Sequence, residues 1–109
     1  LRSLHVDAFF MGVHGMDVRA GFSTPNLLES ETNRAMIERS RRLIVCADSS
    51  KWGVVGLSSM AGLSEAAVLV TDSGLSAHAS GALADHVGEL VVVDPVDGDD
   101  DALAAAGDS

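Results

Sequence analysis

Leu43-Ile44-Val45-Cys46-Ala47-Asp48-Ser49-Ser50-Lys51-Trp52-Gly53 runs five apolar residues straight into a loop holding an aspartate, two serines and a lysine. An uninterrupted apolar run with Ile and Val at its centre, ended by a polar cluster, reads as a parallel strand covered on both faces. In open α/β sheets, ligands bind outside the carboxyl ends of such strands. Lys51 is the only lysine of the chain and sits at that address, so the stretch sets both the fold class and the first candidate binding residue.

Outward from this run, strands and helices alternate. Asp7 to Met11 is apolar and aromatic, a strand broken by Gly12-Val13-His14-Gly15. Thr24-Pro25-Asn26 opens a helix, with Asn26-Leu27-Leu28-Glu29 resembling a capping box. That helix is expected to run to about Arg41, with Glu29 and Glu31 near its positive end, Arg39, Arg41 and Arg42 near its negative end, and Glu38 and Arg42 paired one turn apart. Further on, Leu57 to Ala61 is a weak strand and Ala67 to Thr71 a firmer one. Ser76 caps a helix through roughly Val87, and Glu89 to Asp94 closes the pattern. The reading is an α/β fold: a Rossmann-like layered sheet of mostly parallel strands with flanking helices.

Composition narrows the class. The 109 residues make at most one domain, 47 % apolar, with an aliphatic core because Phe numbers three, Trp one and Tyr none. The single Cys46 gives no disulfide framework and no metal-ligand spacing, and its place in a strand implies a packing role and a reducing compartment. No run approaches a membrane-spanning length and the first residues lack a signal-peptide pattern, so the expected setting is cytoplasmic. Of the sixteen acids behind the net charge of -9, Asp97, Asp99, Asp100, Asp101 and Asp108 crowd one end. Residues 95–109 therefore read as a disordered acidic tail appended to residues 1–94. No basic stripe marks a nucleic-acid footprint.

The chemistry gathers at strand ends. Glycines at 12 and 15 permit close backbone approach, Gly21-Phe22-Ser23-Thr24 leads to a helix N-terminus, and Lys51 supplies a positive charge; together these suit a phosphorylated or carboxylated small molecule. Gly15 and Ser23 are candidates for backbone and hydroxyl contacts, and Asp17 and Glu31 for sugar hydroxyls. His14 is weighed between a ligand contact and a local turn bond. Asp48 reads as an Asx-turn that orients Lys51. The histidines lack metal-ligand spacing, no metal or cofactor is expected, and no nucleophile, base and orienter can be assembled.

These same segments, Asp7-Ala8-Phe9-Phe10-Met11-Gly12-Val13-His14-Gly15-Met16-Asp17, Gly21 to Glu29, Arg34-Ala35-Met36-Ile37 and Ala47 to Gly53, resemble the C-terminal sensor domain of DeoR-family transcriptional regulators over most of residues 5 to 94. The resemblance implies an effector-binding domain related in fold to ribose-5-phosphate isomerase and coenzyme A transferases, answering to a phosphorylated sugar. DNA would be bound only through a winged helix-turn-helix domain that this chain lacks. It also implies that the chain is the C-terminal portion of the sensor, without the first strand and phosphate loop, and that it works as a homo-oligomer. Against isomerase chemistry, the Asp-Gly-Ala-Asp motif of the isomerases is replaced by Gly12-Val13-His14-Gly15, and their catalytic glutamate falls on Asn33, an amide that cannot accept a proton. The competing readings are a sugar-phosphate isomerase and an oligomerisation domain without ligand.

Overall fold

The computed structural model describes residues 5–94; the acidic tail expected over 95–109 lies outside them. Four parallel strands form the main sheet: β1 (Val6–Gly12), β4 (Ser40–Cys46), β6 (Ala66–Asp72) and β7 (Glu89–Val93), in that order across the sheet. A second sheet is antiparallel and joins β2 (Gly15–Asp17), β3 (Gly21–Thr24) and β5 (Ser58–Ala61). Helix α1 (Leu27–Glu38) lies between β3 and β4, and α2 (Ala77–His86) between β6 and β7. The α/β class with a mostly parallel sheet and flanking helices is borne out.

The helix starts follow their caps. Asn26 accepts from the Glu29 backbone N–H at 3.0 Å and opens α1, and Ser76 accepts from Ala79 at 3.1 Å and opens α2. Helix α1 ends earlier than expected, at Glu38 rather than near Arg41. The Ser40 hydroxyl donates to the Met36 carbonyl at 2.6 Å and the Arg39 side chain to the Ala35 carbonyl at 3.0 Å, which closes the last turn. Arg41 and Arg42 consequently belong to β4, and the pair expected between Glu38 and Arg42 is replaced by Arg34 and Glu38, 3.6 Å apart on α1.

The sheet's order equals the order of the strands in the chain. Right-handed crossovers between strands laid down in one direction return over one face, and burial agrees. Met11, Leu43, Val45 and Leu69 are buried in one cluster with Met16, Phe22 and Met60 of the antiparallel sheet, Leu83 of α2 and Val87 at its end. Among the described residues the opposite face is less covered: Phe10, paired in register with Ile44, is 67 % exposed, and Ile44, Val68 and Val70 are half-buried. Within these residues the central strand is buried on one face, where both were expected. Cys46 alternates with buried Val45 onto the less covered face and is exposed, so it has no packing role in the core.

Candidate functional site

The ends of β1 and β4 open into a cleft of about 520 Å³, walled by Phe9 to His14 from the first strand and its loop, by Cys46, Ala47, Asp48 and Lys51 from the second, and by Glu29 and Asn33 from α1. Each wall has a local cause. Asp48 ends β4 as an Asx-turn, accepting from the Ser50 backbone N–H at 2.9 Å and also from its hydroxyl. A 3-10 turn, Ser49–Lys51, follows. Two anchors fix that turn. Asp72, at the end of β6, accepts from the Ser49 N–H at 2.9 Å. On the far side Gly53 donates to the Met16 carbonyl at 2.9 Å, beside a bridge between Trp52 and Met16.

Lys51 is therefore carried on a braced turn rather than a free loop. Its ammonium lies 3.9 Å from an Asp48 carboxylate oxygen, and its side chain remains about one third exposed. The Ser50 hydroxyl bond first, then the Ser50 N–H and Lys51, hold the Asp48 carboxyl below its ordinary range, so it is anionic at neutral pH. Across the cleft His14 Nε2 lies 3.7 Å from Glu29 Oε1. Glu29 and Asn33, one turn apart, share the helix face turned to the cavity, and Asn33 Nδ2 contacts the Met60 sulfur at 3.3 Å. An ammonium, an amide, an imidazole and two carboxylates, set beside Phe9, Phe10, Met11 and Val13 in an open cavity, suit reversible binding of a small hydroxylated anion.

Of the residues singled out in the sequence, Gly12, His14, Asn33, Asp48 and Lys51 line this cleft. Gly15, Ser23, Asp17 and Glu31 lie elsewhere. Gly15 is buried at the start of β2, where a Cβ would run into the Val54 carbonyl oxygen and the Ser23 hydroxyl. Ser23 is fully buried in β3, a strand rather than the expected lead-in loop, and its hydroxyl accepts from the Gly56 N–H at 2.8 Å. Asp17 closes the β2–β3 hairpin by accepting from the Arg19 and Ala20 N–H groups, each at 2.9 Å. Glu31 is exposed on α1, outside the cavity lining. The cleft residues that sequence reading passed over are Glu29, taken only as a cap and dipole partner, and Cys46.

No helix among the described residues is long and apolar enough to cross a membrane, and among them no cluster of His, Cys, Asp and Glu is placed to hold a metal ion.

Comparison with known proteins matches residues 1–73 to the model of the DeoR C-terminal sensor domain. The chain is 41 % identical over 93 residues to the uncharacterized HTH-type transcriptional regulator YulB of Bacillus subtilis, covering 85 % of this chain and 36 % of that protein. It is 35 % identical over 77 residues to a putative aga operon transcriptional repressor of Escherichia coli O157:H7, covering 71 % and 29 %. With the HTH-type transcriptional regulator GlpR of Haloferax volcanii it shares 34 % over 71 residues, covering 65 % and 28 %. The chain thus spans about a third of the length of the curated relatives it matches.

Proposed function

The chain belongs to the DeoR C-terminal sensor domain family, and from that premise we propose that it is the effector-sensing part of a bacterial regulator of sugar metabolism, binding a phosphorylated sugar in the Lys51 cleft. The observation that supports this most is the braced cation: the only lysine of the chain stands beyond a strand's carboxyl end, 3.9 Å from Asp48, in the wall of an open cavity. In this reading Lys51 receives the phosphoryl group or a sugar oxygen, while Asn33 and His14 face the sugar body. The names of relatives, an aga operon repressor among them, support a regulatory role in carbohydrate use.

Ligand binding then acts on DNA through a helix-turn-helix segment of the regulator outside these residues, in a cytoplasmic homo-oligomer, by favouring one of two arrangements of the whole protein. Asn33 favours sensing over catalysis, because an amide in the cleft cannot take the proton that sugar isomerisation must move. The test is a thermal-shift screen of sugar phosphates on the full-length regulator, repeated with Lys51→Ala. Stabilisation by one compound, lost in the variant, supports the reading; stabilisation that survives Lys51→Ala removes the lysine from the site.

A further inference from the structure

Among the described residues the cleft is poor in positive charge. Its lining holds two carboxylates, Glu29 and Asp48, against one ammonium, Lys51, with the His14 imidazole and the Cys46 thiol as the other titratable groups. Among the described residues no arginine lines it, so they supply no guanidinium fork of the kind that grips phosphoryl groups bidentately. Lys51 and Asp48 come from the β4 end and Glu29 from α1, which places the two carboxylates on different walls. A ligand whose phosphoryl group meets Lys51 and whose body crosses the cavity therefore reaches Glu29 with its far end.

We propose that Glu29 limits the charge of the ligand, so that the cleft takes a sugar carrying one phosphoryl group and rejects the same sugar carrying two. The inference rests on the sugar-phosphate reading above and adds the ligand class to it. A carboxylate accepts hydrogen bonds from sugar hydroxyls but repels a second phosphoryl dianion, and such a built-in repulsion is how a site separates ligands that share every other contact. His14 Nε2 lies 3.7 Å from the Glu29 carboxylate, and both side chains line the cavity. Asp48 cannot play the same part, because Ser50 and Lys51 already engage it.

The experiment compares matched pairs on the full-length regulator by calorimetry: fructose 6-phosphate with fructose 1,6-bisphosphate, and glucose 6-phosphate with glucose 1,6-bisphosphate. The unaltered protein should prefer a monophosphate over its bisphosphate by about tenfold or more. Glu29→Gln, which keeps the length of the side chain and leaves the backbone N–H capped by Asn26, should bring the two members of that pair to within about threefold. Glu31→Gln, removing the same charge from the same helix outside the cavity, should leave the preference unchanged. Equal binding of both members by the unaltered protein, an unchanged preference in Glu29→Gln, or an equal effect of Glu31→Gln overturns the inference while the sugar-phosphate reading stands. Failure of both monophosphates to bind, or binding indifferent to Lys51→Ala, overturns the inference together with the reading beneath it.

Discussion

The Asp72 carboxylate accepts a hydrogen bond from the Ser49 backbone N–H at 2.9 Å, so the end of β6 holds the turn that carries Lys51. The second Asp72 oxygen accepts from the Gly74 N–H at 2.8 Å. Bonds from Ser49 first, and then from Gly74, hold the Asp72 carboxyl below its ordinary range.

A pH dependence follows with a definite sign. A carboxyl whose native pKa is depressed contributes stability above its unfolded value, about 3.9 for Asp, and loses it as pH falls through the lower native value. Urea midpoints of the unaltered protein should therefore fall with acidification below about pH 4. Asp72→Asn should flatten that decline without abolishing it, because Asp48 is shifted in the same direction. An identical acid limb in the variant would remove Asp72 from the linkage.

Ser23→Ala separates a structural hydroxyl from a ligand-binding one. The side chain is fully buried and serves the N–H of half-buried Gly56, and losing that bond costs about 1 kcal/mol. Urea denaturation should show that loss, while the increment in thermal stability given by any cleft ligand stays as it was. A ligand response lost along with Ser23 would put the hydroxyl back among the binding groups.

Two glycines predict opposite outcomes for the same substitution. Gly15→Ala drives a methyl group into the Val54 carbonyl and the Ser23 hydroxyl, with a cost of about 1–3 kcal/mol from overpacking. Gly81 lies inside α2 with open space around a built Cβ, so Gly81→Ala should stabilise by about 0.5–1 kcal/mol. Melting temperatures that moved in the same direction for both would contradict this packing.

Cys46 offers a direct probe of the cleft. Its thiol is exposed and lines the cavity, so a thiol reagent should label it in the folded protein at a rate close to that of the unfolded chain. A ligand seated against Lys51 should slow the reaction, measured by mass spectrometry. Labelling that required denaturant would show the β4 end to be closed.

The parallel framework was legible in the sequence because its signals are long or chemically specific. Leu43 to Ala47 and Leu90 to Val93 are apolar runs, and Asn26 and Ser76 cap their helices as their residue types imply. Of the antiparallel sheet only β5 was, as the weak strand expected over Leu57 to Ala61; β2 has three residues and β3 four, too few for a period to show. Arg41 and Arg42 hid the start of β4, where a solvent-facing strand tolerates charge that a buried one would not. At the site, Lys51 could be found from its position after a strand. Glu29 could not, because only the placement of α1 beside the β1 and β4 ends turns a helix-start acid into a cavity wall.

The match between chain order and sheet order bears on how the molecule is made. Each parallel strand pairs with the one completed before it, β4 on β1, β6 on β4 and β7 on β6. Among the described strands none has to be inserted between two that are already joined. As the polypeptide leaves the ribosome, every new unit meets a finished template edge, and the loop that must close is only as long as the latest crossover. Synthesis and assembly of this sheet can proceed in the same direction and in step.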